Sequence, residues 1–302
     1  MQSNKKDTKA RLHPRNRHRE QYNLNELCTI CPELCRFVIK NKYGNESIDF
    51  FNRAAVKMLN CALLKKFYKV DFWDIPDNYL SPPVPGRADY IHYLADLLNK
   101  TVNKKSYRGL DIGVGANCIY PIVGVAEYGW SFVGTDIDAG ALESAEKIIA
   151  SNSFLAQKTE LRFQENRQHI FSGIIRENER FDFTICNPPF HTSANEAEAG
   201  TVRKLRNLKK KKVTRTTLNF GGKSNELWCD GGEVKFVTNM IKESKQFYKS
   251  CRWFTTLVSK EANLKSYYKI LNRVGATEVK TIPMKQGNKI SRILAWSFST
   301  SV

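Results

Sequence analysis

The chain lacks any run of about 18 apolar residues that could cross a bilayer, and its N-terminus is polar and charged where a secretory signal would be apolar. A membrane span and a signal peptide are therefore not expected. Acidic residues are few, 30 against 48 Lys and Arg, leaving a formal net charge of +18. Such an imbalance favours a polyanionic partner, nucleic acid first, although it says nothing about fold. The eight cysteines lie partly inside apolar runs, as Cys61 does in Leu59-Asn60-Cys61-Ala62-Leu63-Leu64, which suits free thiols in a reducing cytoplasm. With 302 residues, 41% of them hydrophobic, the chain can bury one large core, or one core with an appendage.

Residues 1–20 carry Lys5, Lys6, Lys9, Arg11, Arg15, Arg17 and Arg19 with almost nothing to bury, the composition of an unstructured basic arm. Asp7, Glu20 and the missing apolar face speak against a mitochondrial presequence. Residues 21–105 read as a helical N-terminal subdomain, with helices around Leu24–Val38, after an Asn52 cap, and over Ala88–Leu98. From 106 to 302 strands and helices alternate. Tyr107–Ile112, Trp130–Thr135, Glu160–Phe163, Phe181–Cys186 and Arg252–Val258 are strand-like, and Glu278–Pro283 with Arg292–Phe298 could close the sheet as an antiparallel pair. Asn117–Tyr128, Ala139–Asn152, Glu233–Tyr248 and Ala262–Val274 are helical. The expected fold is α/β: a Rossmann-like domain with a seven-stranded, mostly parallel sheet. An insertion at about 191–230 holds Arg203, Lys204, Arg206, Lys209, Lys210, Lys211, Lys212 and Arg215 with no acid between 203 and 215. A solvated loop would explain such a run. Its place directly after the presumed reaction site favours a phosphate-binding flap.

Three motifs carry chemistry. In Leu110-Asp111-Ile112-Gly113-Val114-Gly115-Ala116-Asn117, glycines between a strand and a helix let the backbone approach a ligand, and the helix start offers free N–H groups to an anion. Asn117 stands where a third glycine would be, which makes a pyrophosphate less attractive. Asp136 ends the second strand, where a carboxylate can accept both hydroxyls of a ribose, in NAD and S-adenosylmethionine sites alike. Asn187-Pro188-Pro189-Phe190 follows a strand end. Its prolines fix the backbone and leave the Pro188 carbonyl free, Asn187 adds a second acceptor, Pro189 borders the substrate, and Phe190 offers a stacking face. Two acceptors can hold both hydrogens of an exocyclic amine and draw its lone pair out of conjugation. Asn187, Pro188 and Phe190 are the candidate catalytic residues, and no base is required before attack.

These blocks lead to a family. Together with Leu12-His13-Pro14-Arg15-Asn16-Arg17-His18, Tyr43-Gly44, Ser47-Ile48-Asp49-Phe50, Pro85-Gly86-Arg87-Ala88-Asp89-Tyr90, Cys118-Ile119-Tyr120-Pro121 and Gly231-Gly232-Glu233, they resemble bacterial 23S ribosomal RNA adenine-N6 methyltransferases of the RlmF type, over nearly the full length. Eukaryotic methyltransferase-like enzymes acting on structured nuclear RNA are more distantly similar. The resemblance implies S-adenosyl-L-methionine as cofactor, with Arg87 pairing its carboxylate. Asp111, Gly113, Gly115, Asn117, Asp136, Asn166 and Asn187 would line the remainder, with Asn166 at the adenine. It implies 23S rRNA or a large-subunit assembly intermediate as partner, with His13, Arg15 and Arg17 in an N-terminal RNA-binding region; Lys204, Arg206 and Lys209 to Lys212, in the basic insertion, would grip phosphates. A cytoplasmic, metal-free monomer is expected.

Two other functions fit part of the pattern: glutamine side-chain methylation by Asn-Pro-Pro-aromatic enzymes, and RNA binding without catalysis on a Rossmann-like scaffold. Cys28, Cys31 and Cys35 are spaced closely enough for a metal but lack an evident fourth ligand nearby, so idle or buried thiols are expected.

Overall fold

The structure, a computed structural model, describes residues 12–100, 104–191, 228–286 and 289–299. Helices α1 (Leu24–Ile30), α2 (Arg53–Tyr68) and α3 (Val84–Asn99) precede the alternating part, with a small hairpin of β1 (Val38–Lys40) and β2 (Glu46–Ile48) between the first two. Then follow β3 (Arg108–Ile112), α4 (Ile119–Tyr128), β4 (Ser131–Asp136), α5 (Ala139–Ala150), α6 (Ser153–Ala156), β5 (Thr159–Phe163) and β6 (Phe181–Cys186). The chain ends through α7 (Gly232–Ser244), β7 (Cys251–Val258), α8 (Leu264–Val274), β8 (Glu278–Gln286) and β9 (Lys289–Ser297). Local chemistry sets several of these boundaries. Asn52 caps α2 by accepting from the backbone N–H of Ala54 and Ala55, and Asp138 caps α5 through Gly140. Pro32 ends the first helical run, so the helix expected to reach Val38 stops at Ile30 and continues as a tighter 3-10 turn over Pro32–Phe37.

The sheet has seven strands in the order β5-β4-β3-β6-β7-β9-β8, parallel from β5 to β7 and antiparallel at β9 and β8. The order reverses between β3 and β6, which opens a crevice at their C-terminal ends, where ligands bind in such sheets. β3, β6 and β7 are buried almost throughout, as central strands covered on both faces must be. One cluster of buried side chains joins α1, α2 and α3 to α4 and α5, through residues such as Leu27, Leu64, Ile91, Ile122 and Ile148. The second packs α7 and α8 on the sheet through Val237, Met240, Phe254 and Leu271. Segment 21–105 is thus helical with an added hairpin, and it shares its core with the sheet domain.

Residues 12–20 differ from the expected free arm: they form a strap fastened to the fold. His13 and Asn16 donate to Asp89 Oδ1 at 2.9 and 2.6 Å, and Arg17 pairs with Glu127 at 2.7 Å. His18 lies between the hydroxyls of Tyr68 and Tyr22 at 2.8 and 2.9 Å. Its burial, with the Arg17 charge, lowers its pKa to about 4. Burial together with the neighbouring His13, Arg15 and Arg17 lowers that of His92 to about 3. The ordinary value is 6.5, so the unfolded chain binds protons that these folded imidazoles refuse. Their stability is present above pH 6.5 and is lost as pH falls through about 4 for His18 and about 3 for His92, by on the order of 2 kcal/mol each between pH 7 and 5. Asp89 and Asp136, raised by burial, and Asp111, pushed far up by it, act in the opposite direction. In urea unfolding followed by tryptophan fluorescence, the midpoint at pH 7 minus that at pH 5 should fall when His18 and His92 are both replaced by glutamine; an unchanged difference contradicts the assignment.

Candidate active site

A cavity of about 930 Å³ lies at the crevice between β3 and β6. Ile112, Gly113, Val114, Gly115 and Asn117 form its floor, Thr135 and Asp136 one side, and Asn187, Pro188 and Pro189 the other. The turn after β3 is fastened by the backbone N–H groups of Gly113 and Val114, which donate to the Thr135 carbonyl at 2.8 and 2.9 Å. Gly113 has φ +76° and nothing within 4 Å of where a Cβ would stand, so the backbone there faces open space that a ligand can fill. Gly115 and Asp138 donate their N–H groups to the Asp136 carboxylate, both at 3.0 Å. This fixes Asp136 while leaving each oxygen a lone pair for a hydroxyl. Burial raises its pKa and these backbone donors oppose the rise.

Arg87, in the first turn of α3, reaches across the cavity. Its Nη1 donates to Asn187 Oδ1 at 2.8 Å and to the Tyr120 hydroxyl at 3.0 Å. A helix-start arginine is therefore placed beside both the glycine turn, through Tyr120 in α4, and the Asn-Pro-Pro-Phe loop. Asn117 lines the cavity while its Oδ1 accepts from Ile119 N–H and its carbonyl accepts from Trp73 Nε1, at 3.1 and 2.9 Å.

Not every expected residue reaches this space. Asp111 is fully buried outside the cavity lining, and among the described residues neither carboxylate oxygen has a hydrogen-bond partner. Burial, reinforced by Asp136 and opposed by Arg87, pushes its pKa far up. Asn166 is exposed, with its Oδ1 accepting from Gln168 N–H at 2.9 Å; the wall near it is formed by Gln164, Arg167, Gln168 and His169. Phe190 is half-buried and does not line the cavity, whereas Trp228 does. Trp228 bridges to His191, so both ends of the basic insertion meet at the cavity edge. Lys204, Arg206, Lys209, Lys210, Lys211 and Lys212 lie outside the described residues.

His13, Arg15 and Arg17 stand away from the cavity, engaged with the fold. His13 is buried beside Asp89 and Asp96, and Arg15 pairs with Asp96 and Tyr128. Residues that sequence reasoning missed include Tyr79, Tyr120, Gln164 and Trp228. Of these, Tyr120 stands in Cys118-Ile119-Tyr120-Pro121, one of the blocks that carry the resemblance, and Gln164 lies two residues before Asn166. Among the described residues no group of three His, Cys, Asp or Glu side chains is placed to hold a metal, and no helix is long and apolar enough to cross a membrane. Cys28, Cys31 and Cys35 carry free thiols, that of Cys31 buried and near Glu33.

A glycine turn after the first strand of the parallel sheet, a fixed carboxylate at the end of the next and an Asn-Pro-Pro loop facing both define the Rossmann-like methyltransferase class. Comparison narrows the class: an RNA methyltransferase family model matches residues 6–300, and the chain belongs to that family. It is 55% identical to the Ribosomal RNA large subunit methyltransferase F of Cytophaga hutchinsonii, covering 99% of this chain and 95% of that protein. The protein of that name from Bacteroides fragilis is also 55% identical, over 95% of this chain and 98% of its own. Among solved structures, the hMettl16 catalytic domain in complex with MAT2A 3'UTR hairpin 1 superposes with a TM-score of 0.83 at 31% identity, covering 97% of each chain. The N-terminal domain of human METTL16 in complex with SAH gives a TM-score of 0.77 at 28% identity, over 95% of this chain and 99% of that one.

Proposed function

We propose that this protein transfers a methyl group from S-adenosylmethionine to N6 of an adenine in 23S rRNA, acting as a cytoplasmic monomer on the free RNA or on an assembling large subunit. The observation that carries the reading is Asn187-Pro188-Pro189 in one cavity with the glycine turn and Asp136. The names of the RNA methyltransferase relatives, and the S-adenosylhomocysteine complex of a structural neighbour, support the substrate and cofactor.

The residues fit this cofactor. Gly113 leaves room at the turn, Asp136 keeps acceptors for a ribose, and Arg87 offers charge beside the start of α4. S-adenosylmethionine, when bound, supplies an electrophilic methyl on sulfur. An adenine is easiest to bring in from a loop or bulge, where extruding it from its stack costs least. Asn187 Oδ1 and the Pro188 carbonyl then accept its two amine hydrogens, which holds N6 in place and directs its lone pair. As the N–C bond forms the S–C bond breaks, and a proton then leaves the nitrogen for water. Positioning dominates the rate, because no side-chain base has to act first.

The test is nucleoside analysis of rRNA from cells with and without the gene, and of rRNA incubated with purified protein and labelled cofactor. Loss of one N6-methyladenosine in cells and its restoration in vitro are expected. Methylglutamine in a protein, or RNA binding without any transfer, would overturn the reading.

A further inference from the structure

We propose that Tyr120 is a positioning residue that acts through Arg87 to hold the Asn187 amide with its oxygen towards the reacting amine; this rests on the role given to Asn187 above. The geometry forms a chain. One nitrogen of Arg87 carries two hydrogens, and it donates to Tyr120 and to Asn187 Oδ1. A guanidinium has no acceptor, so it accommodates only the oxygen end of the neighbouring amide. A substrate amine likewise offers hydrogens, and it must share that same oxygen through the second lone pair. Were the amide turned over, its NH2 would face Arg87 and the amine together, three donors with no acceptor between them. Arg87 removes that orientation before the base arrives.

Tyr120 fixes Arg87 in turn. It is 3% exposed, and its ring lies 5.6 Å from the guanidinium carbon. Tyr90 packs edge-on against it with ring centroids 5.5 Å apart. The Tyr90 hydroxyl bonds Thr255 Oγ1 at 2.8 Å, and Thr255 Oγ1 donates to the Thr184 carbonyl at 2.5 Å in β6, three residues before Asn187. The support for the reacting amide therefore returns to the strand that carries it, and neither tyrosine needs to touch substrate.

Tyr120→Phe keeps the ring and removes the hydroxyl that Arg87 donates to. Measured at saturating cofactor on an rRNA substrate, it lowers kcat about five- to tenfold, with KM for S-adenosylmethionine changed less than about twofold. The distinguishing measurement repeats the change in an Asn187→Asp background. A carboxylate presents oxygen either way round, so there Tyr120→Phe leaves kcat within about twofold. If Tyr120→Phe lowers the unfolding temperature, Arg87→Met, which removes the donors, gives the second readout at saturating cofactor: kcat falls at least about fivefold with Asn187 in place and less than about twofold in the Asn187→Asp background, and equal losses overturn the inference. An unchanged kcat for Tyr120→Phe, or an equal fractional loss in both backgrounds, overturns the inference. Absence of methyl transfer by the unaltered protein overturns the proposed function and this inference with it, whereas transfer with equal kcat overturns this inference alone.

Discussion

Replacing Asn187 with alanine should lower methyl transfer to RNA by about 10²–10³-fold while changing the cofactor dissociation constant less than about threefold. In the proposed reaction the side chain supplies one of the two acceptors for the amine, a contact that would matter most while positive charge builds on the nitrogen. The cofactor contacts assigned to Gly113, Asp136 and Arg87 survive the change. Arg87 loses one acceptor but keeps the Tyr120 hydroxyl, 3.0 Å away. Calorimetric titration with S-adenosylmethionine alongside single-turnover transfer separates the two quantities. A parallel loss of cofactor binding and transfer would make Asn187 a structural residue of the loop.

Asp136→Ala should divide the same quantities the other way. A ribose bonded to a carboxylate loses charge-assisted hydrogen bonds, so the dissociation constant should rise about 10- to 100-fold, with kcat at saturating cofactor much less affected. Part of the loss comes through the protein, because the Gly115 and Asp138 N–H groups lose the acceptor that shapes the glycine turn. Asp136→Asn isolates the charge, since its remaining oxygen can still accept one of these donors. Unchanged affinity in Asp136→Ala would remove the ribose assignment.

Much of the sheet domain was legible because each signal was local. The strands Tyr107–Ile112 and Phe181–Cys186 were bounded by a glycine turn and by prolines, and they appear as β3 and β6 within one residue. The Asn187-Pro188-Pro189 stretch was readable for the same reason: it directly follows β6, whose end opens on the cavity. Distant partners were not readable. Arg15 and Arg17 have the composition of an RNA-binding arm, and nothing nearby in sequence reveals Asp96 and Glu127, 81 and 110 residues further on. The β1–β2 hairpin went unseen because three-residue strands are too short to show an alternating pattern. Asn166 and Gln164 are two residues apart at a strand end, and a turn there decides which side chain faces the cavity. Trp228 is brought to the cavity edge by its bridge to His191, and spacing cannot encode a contact across so long an insertion.

The strap over residues 12–20 braces the helix that carries Arg87. Asp89, which takes His13 and Asn16, sits two residues after Arg87 on the same helix. A shortened chain beginning after His18 would leave that carboxylate buried without these donors, at the very turn that aims the active-site arginine. Lost turnover in such a truncation reports loosening of the catalytic helix as well as weaker grip on RNA. Arg19→Glu, at a side chain that bonds the Pro14 carbonyl within the strap, would separate the two.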